Sequence, residues 1–260
     1  MKLPIPYDHG KSVVTEIEFS RPKAGLIAEV KRIADDADAY SAMVSFIAGS
    51  ATLTSEEGDV FSGQEAKAVV RAMPYLDAEW CSIKLLLLTG ASDYFEGMSI
   101  CPRCGHRKSF DGEISKLPIL EAEAVQLSTI DLGYPVRIVD EKSGEVAEEI
   151  SSMAFRSPTL GDCIKAAQVC DIEDQLSLQY AVYAEALKSV NGRDVTEKWR
   201  GEWAVQIINR MDPEDLRKVA EMTHKYGLVR TVPLRCSKCK RTWDGEVDTS
   251  GFFSSGLHGR

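Results

Sequence analysis

The chain has 260 residues, 44% of them hydrophobic and 27% charged, with 31 Lys and Arg set against 40 Asp and Glu. That is enough apolar material for a real core in one large or two modest domains. No apolar run approaches the ~20 residues that span a bilayer, and a formal net charge of −9 opposes general contact with phosphate, so composition disfavours both a membrane protein and a non-specific nucleic-acid binder.

The first residues, Met1-Lys-Leu-Pro-Ile-Pro6, lack the apolar stretch of a secretory signal, which predicts a cytoplasmic, reducing setting with free thiols. Residues 13–19 alternate apolar and polar through Val13, Ile17 and Phe19 and read as a strand. Ser20 and Pro22 open a helix whose stripe is Leu26, Ile27, Val30 and Ile33. A second helix is predicted over 38–48, and the Gly/Thr/Ser/Glu stretch over 49–58 reads as a loop. Helices follow at 63–73 and 75–88, the second ending near Gly90. The segment 115–149 has a different character, with a small hairpin through Val136, Ile138 and Val146 turning at Gly144. Beyond it, a helix from Ser157-Pro158 reaches Cys170, and a longer one over 171–190 stops at Asn191-Gly192, which reads as a C-cap. Two more helices are predicted over 194–211 and from Asp212-Pro213 to Gly227.

The chain repeats itself. Phe19, Pro22 and Gly25 recur as Phe155, Pro158 and Gly161; Cys101 and Cys104 recur as Cys236 and Cys239; Phe110-Asp-Gly-Glu113 recurs as Trp243-Asp-Gly-Glu246. Three motifs in one order at nearly one offset point to an internal duplication. The predicted fold is α+β, mainly α-helical. It has two tandem pseudo-symmetric copies of a strand–helices–knuckle unit, with a small β hairpin between them. The predicted divisions are 1–115 for the first unit, 116–145 for a β-rich connector and 146–260 for the second unit with its aromatic tail.

Four of the seven cysteines stand in the pairs Cys101-Pro-Arg-Cys104 and Cys236-Ser-Lys-Cys239. Two intervening residues let both sulfurs converge from one tight turn, and one such pair supplies only half a tetrahedron. If the two units pack about a two-fold axis, the pairs meet as one zinc-ribbon-like site of Cys101, Cys104, Cys236 and Cys239, holding one structural zinc per chain. Separate sites recruiting His106 or other ligands, an iron–sulfur centre and a redox dithiol are the alternatives. The three single cysteines, Cys81, Cys163 and Cys170, read as small buried apolar residues. Cations crowd both knuckles: Arg103, Arg107 and Lys108 with His106 at one, and Arg235, Lys238, Lys240 and Arg241 at the other. They read either as offsets to the tetrathiolate charge or as a binding patch.

Helices ending in a C-x-x-C knuckle, a β segment and the Phe252-Phe253 tail resemble the baseplate hub subunit family of contractile-tailed, T-even-type phages. The run Phe155-Arg-Ser-Pro158-Thr-Leu-Gly161-Asp162 is similar to a helix start of phage tail assembly chaperones; at the corresponding place in the first unit, Leu26 stands where the second has Asp162. The resemblance implies a non-catalytic component of a virion tail baseplate, assembled in the host cytoplasm. Its partners would be other tail and baseplate proteins, with docking through Phe252 and Phe253.

No glycine-rich phosphate loop, histidine cluster of a metal hydrolase or serine nucleophile elbow occurs, so a catalytic role is not expected. The recurring carboxylates Asp111/Glu113 and Asp244/Glu246 read as turn chemistry around an Asp-Gly step. A nucleic-acid-associated zinc-ribbon protein, and a tail assembly chaperone absent from the mature particle, are the alternative functions.

Overall fold

The computed structural model describes residues 1–35, 39–125, 127–139, 146–170, 174–195, 202–223 and 225–249. The predicted docking residues Phe252 and Phe253 lie outside them, as does the hairpin turn at Gly144. The protein is a mixed α/β structure, with much more strand than the mainly helical expectation.

The chain opens with two antiparallel strands, β1 (Lys2–Asp8) and β2 (Val13–Phe19). Two helices follow, α1 (Ala24–Asp35) and α2 (Ala39–Ser50), and then β3 (Ala51–Ser55) and β4 (Val60–Phe61) complete a four-stranded sheet in the order β1-β2-β3-β4. Half of the predicted loop over 49–58, Ala51–Ser55, is therefore strand, and its first two residues end α2. Its small residues hide a period of two: Ala51, Leu53 and Ser55 are buried while Thr52 and Thr54 are half-exposed. Threonine is a good strand former because its branched Cβ suits the pleat.

Helices α3 (Gly63–Ala72) and α4 (Tyr75–Thr89) come next, and α4 ends at Gly90, whose φ of 92° gives a left-handed cap. Then comes the hairpin β5 (Tyr94–Ile100) and β6 (Arg107–Glu113), closed by the first cysteine pair. A 3₁₀ turn over Ile114–Lys116 leads to the short β7 (Ile119–Leu120).

The next strands are long: β8 (Leu127–Val139) and β9 (Val146–Arg156) pair antiparallel. Helices α5 (Leu160–Val169) and α6 (Gln175–Ala186) follow, then β10 (Leu187–Val190) and β11 (Arg193–Asp194), in a second sheet ordered β11-β10-β9-β8. The 116–145 segment thus contributes the edge strand of that sheet. The long helix predicted over 171–190 ends four residues early. Asn191 (φ 49°) and Gly192 (φ 74°) form the hairpin turn between β10 and β11, not a helix cap. Asn-Gly tolerates two successive left-handed residues, the requirement of a tight two-residue hairpin.

Helices α7 (Glu202–Asn209) and α8 (Pro213–Thr223) follow, with β12 (Gly227–Leu228) pairing back onto β7. A last hairpin, β13 (Thr231–Arg235) and β14 (Thr242–Glu246), carries the second cysteine pair.

Two apolar cores form among the described residues. The larger centres on α2 and α4, with Phe46, Ile47, Val70, Leu85 and Leu86 almost without exposure, and it recruits Leu160, Ile164, Leu228 and Leu234 from later in the chain. The smaller lies under the second sheet, where Ile150, Phe155, Tyr183, Ile207 and Ile208 meet. Backbone bonds also join the two regions: the Tyr75 N–H donates to Pro158 O at 2.8 Å and the Leu160 N–H to Met73 O at 2.9 Å. A Cβ on Gly161 would come within 3.0 Å of Arg71 O, so this approach needs a glycine.

The start of α5 is secured by a capping box. Thr159 Oγ1 accepts from the Asp162 N–H, and the Asp162 carboxylate accepts from the Thr159 N–H at 2.7 Å. Arg156, at the end of β9, grips the same carboxylate with both guanidinium arms.

Candidate metal centre

The two C-x-x-C pairs sit at the tips of the two hairpins, where β strands on either side hold each turn open to the same space. Hydrogen bonds shape both turns alike. In the first, the Cys101 N–H donates to His106 O at 2.9 Å and the Gly105 N–H to Cys101 O at 3.0 Å. In the second, the Cys236 N–H donates to Arg241 O at 2.8 Å and the Lys240 N–H to Cys236 O at 3.1 Å. Both turns end on a left-handed residue, Gly105 (φ 68°) and Lys240 (φ 61°). Glycine takes that conformation freely, whereas a lysine there costs about 1–2 kcal/mol. Lys240→Gly is expected to raise stability by about 0.5–1 kcal/mol, the strain relief less the extra chain entropy of glycine. A denaturant midpoint unchanged or lowered at equal metal content would refute that.

The hairpins lie against each other, which brings all four sulfurs together. Cys101 Sγ is 3.6 Å from Cys239 Sγ, and Cys104 Sγ is 3.6 Å from Cys236 Sγ. All four lie within 4.8 Å of one another. The first cysteine of each pair faces the second of the other, as a local two-fold axis requires. A tetrahedral ion with bonds of about 2.3 Å to sulfur separates its ligands by about 3.8 Å, which matches the cross-pairs. Sulfurs this close have room for one ion and leave none for a multi-iron cluster with its own sulfides. Among the described residues this is the one group of three or more Cys, His, Asp or Glu side chains placed to share an ion.

The electrostatics split the sulfurs. Against the His106 N–H, burial and the neighbouring sulfurs of Cys236, Cys239 and Cys101 push the Cys104 thiol up to about 11, so a cation is needed to hold all four as thiolates. Cys236 is the reverse. The Cys239 N–H donates to Cys236 Sγ at 3.4 Å, and that bond, with others from the same turn, holds the Cys236 thiol down at about 6. Amide N–H groups aimed at sulfur stabilise the anion that a metal needs. His106, a rival ligand on sequence grounds, is engaged elsewhere: its Nε2 meets Ser237 Oγ of the other knuckle at 3.0 Å. That contact and the bond from Trp243 Nε1 to Ser99 Oγ at 2.9 Å tie one hairpin to the other. Neither was legible beforehand, because both join residues more than 130 positions apart.

The Asp-Gly-Glu segments are not turns. Asp111, Gly112 and Glu113 lie within β6, and Asp244, Gly245 and Glu246 within β14. Their glycines make room for side chains crossing from the partner strand. A Cβ on Gly112 would meet the Phe95 ring at 2.9 Å, and one on Gly245 would meet Leu234 Cδ1 at 2.5 Å. Gly97 is tighter still, with the Phe110 ring 2.3 Å from such a Cβ. Gly97→Ala is therefore expected to destabilise the hairpin by about 1–3 kcal/mol through overpacking, read as a lowered denaturant midpoint. A neutral result would mean that Phe110 swings aside without loss. The carboxylates Asp111 and Asp244 point outward and are exposed.

The three single cysteines separate. Cys81 and Cys163 are buried, and burial pushes both thiols up, so they behave as small apolar groups. Cys170 is half-exposed.

One pair of polar residues escaped the sequence comparison. Asp77, in the first turn of α4, accepts the Ile5 N–H of β1 at 2.9 Å; Asp215, in the first turn of α8, accepts the Gly133 N–H of β8 at 2.8 Å. Both are almost fully buried. The available signal was Asp at corresponding places three residues after Pro74 and Asp212, too short to stand out unaided.

Comparison of the chain with protein-family models, with curated proteins and with solved structures finds no match.

Proposed function

We propose that the protein is a non-catalytic structural component of a phage tail baseplate or of its assembly. In this reading it consists of two copies of one unit, clasped by a single zinc ion on Cys101, Cys104, Cys236 and Cys239. The observation that carries the structural role is the convergence of the four sulfurs across 132 to 138 positions of chain. A four-thiolate site is closed: every coordination position is a protein ligand, so it joins segments and does no chemistry. Zinc fits a sulfur-only tetrahedron better than harder cations do, and free-energy gain on binding goes directly into folding.

Several features support the duplication. Each half runs through two strands, two helices, two strands, two helices and a knuckle hairpin, with the short β12 interposed before the second knuckle. Both four-stranded sheets have sequential antiparallel neighbours. Asp77 and Asp215 do the same work from the same helical turn, 138 positions apart, close to the offset of the sequence motifs. A covalent pair of units with unlike outer faces suits a building block that must meet different neighbours on its two sides. The assignment to a phage tail rests on the motifs around Cys236 and Phe155 described above.

The test is mass spectrometry of purified particles and of isolated tails from the phage that encodes the chain. Peptides of the chain in stoichiometric amount support a resident component. Presence in infected cells with absence from particles would move the role to assembly. Failure to co-purify with any tail intermediate would sink the reading.

A further inference from the structure

We propose that the joined knuckle tips form a binding surface for the phosphate backbone of nucleic acid. The charge distribution is the starting point. Residues 99–109 and 234–243 contain seven of the chain's 31 Lys and Arg and none of its 40 Asp and Glu. The remainder of the chain therefore sets 24 cationic side chains against 40 acidic ones. The net charge of −9 is an average over two regions of opposite sign, and it misleads about either one. At physiological ionic strength interactions fade over about 8 Å, so a phosphate at the tip responds to the tip.

The structure turns two basic loops into one surface. The cysteine cross-pairs at 3.6 Å and the His106–Ser237 contact at 3.0 Å place the knuckles side by side. Arg103, Arg107, Arg235, Lys238, Lys240 and Arg241 are exposed, and Lys108 is half-exposed. Among the described residues, none of the seven forms an ion pair with a carboxylate. A zinc ion with four thiolates has a net charge of −2, which needs two cations at most. The excess of about five is the feature that an offset to the metal site leaves unexplained.

The chemistry favours nucleic acid over an acidic protein. Protein interfaces are depleted in lysine and anchor on buried aromatic or aliphatic side chains. Residues 102–109 and 235–241 contain no Leu, Ile, Val, Met, Phe, Tyr or Trp. A surface of guanidinium and ammonium groups, with the exposed Met98 and Ile100 on strand β5 beside it rather than in the turns, suits phosphate oxygens, which ask for charge and hydrogen bonds and carry no sequence information. The acidic remainder would keep the rest of the molecule off the polymer, so contact is end-on.

The test is fluorescence anisotropy of the full zinc-loaded chain with a labelled 20-base-pair DNA duplex, from 50 to 200 mM salt. About five phosphate contacts predict a slope of roughly −4 to −5 in log K against log salt, a loss on the order of 10²–10³-fold across that range. The variant Arg103→Gln/Lys238→Gln/Arg241→Gln should flatten the slope by about 0.9 per cation removed. Zinc content and circular dichroism, measured on the same samples, show whether the clasp is intact. Lys11→Glu/Lys23→Glu, exposed charges elsewhere, should leave the slope unchanged. No binding at 50 mM salt overturns the proposal, as does binding unaffected by the tip substitutions with the clasp intact. Displacement of the duplex by polyglutamate at equal charge would also overturn it, by showing an affinity for any polyanion. The proposal does not depend on the phage-tail reading, and failure of one leaves the other standing.

Discussion

Elemental analysis of the purified chain is expected to find one zinc per molecule, and Cys101→Ser to abolish it. Structural zinc sites of this type bind with about 10–16 kcal/mol, and an ion on these four sulfurs would put part of that free energy into holding the two hairpins together. Losing several kcal/mol should lower Tm by on the order of 10 °C in a chain this long. A chelator should reproduce the effect in the wild-type chain and do nothing further to the variant. The decisive measurement is the double variant. Cys104 and Cys239 belong to different knuckles yet to one sulfur cluster, so Cys104→Ser with Cys239→Ser should be no less stable than the worse single variant. Additive losses, or two zinc ions per chain, would mean that each knuckle binds its own ion.

The second large effect concerns Asp77. Its carboxyl is buried between α4 and β1, where it accepts from the Ile5 N–H, and burial pushes it up to about 7 from an ordinary 3.8. Tyr7 and Cys81 stand near it and burial keeps both neutral, and among the described residues no cation offsets its charge. A carboxyl raised in the folded state holds its proton longer there than in the unfolded chain. Its favourable contribution is therefore complete below about pH 3.8 and is lost as pH rises through about 7. At 1.36 kcal/mol per pH unit, the loss approaches about 4 kcal/mol over that window. Asp77→Asn keeps an acceptor for the Ile5 N–H and removes the ionisation. It is expected to be more stable than wild type at pH 8 by up to about 4 kcal/mol, with the advantage shrinking to nothing near pH 4. Denaturant unfolding at several pH values reads this directly, and an advantage independent of pH would refute it.

Asp215 is the control, because it makes the same kind of bond in opposite electrostatic surroundings. Burial would raise it too, but Lys218 at 2.7 Å, together with the Gly133 and Tyr134 N–H groups, holds its carboxyl below the usual range. Its stabilisation is present above the ordinary carboxylate range and fades as pH falls through the lowered value. Asp215→Asn should therefore weaken the protein at pH 8, where Asp77→Asn strengthens it.

Much of the local structure was legible in advance because it is encoded locally. The helices α3 and α4 fall within a residue or so of their predicted limits, since Pro74 and Gly90 punctuate them and the apolar spacing between is dense. The helix at Ser157-Pro158 was equally clear, whereas the hairpin expected as a small one through Val136 and Val146 is a pair of long strands, Leu127–Val139 and Val146–Arg156, in the second sheet. Two of the misreadings share one cause. Ala51–Ser55 and Leu187–Val190 are short strands at the ends of helices, with small or helix-compatible residues, and neither has enough length to show its own period. Pairing with β2 and β9 decides them, and those partners lie tens of residues away.

For the cysteines, the sequence by itself determined the four sulfur donors and the tight turn each pair makes, because two-residue spacing is a property of the chain alone. Only the tertiary structure decided that Cys101 faces Cys239 and Cys104 faces Cys236, since nothing local can bring sulfurs 132 and 138 positions apart to within 3.6 Å. It also decided the role of Asp-Gly-Glu: glycine serves a turn and a crowded strand equally well, and the difference lies in Phe95 and Leu234 reaching over from the opposite strand. Charge follows the same rule. Composition set its total, but the packing of the hairpins gathered seven cations onto one tip, where screening lets them act as a separate surface.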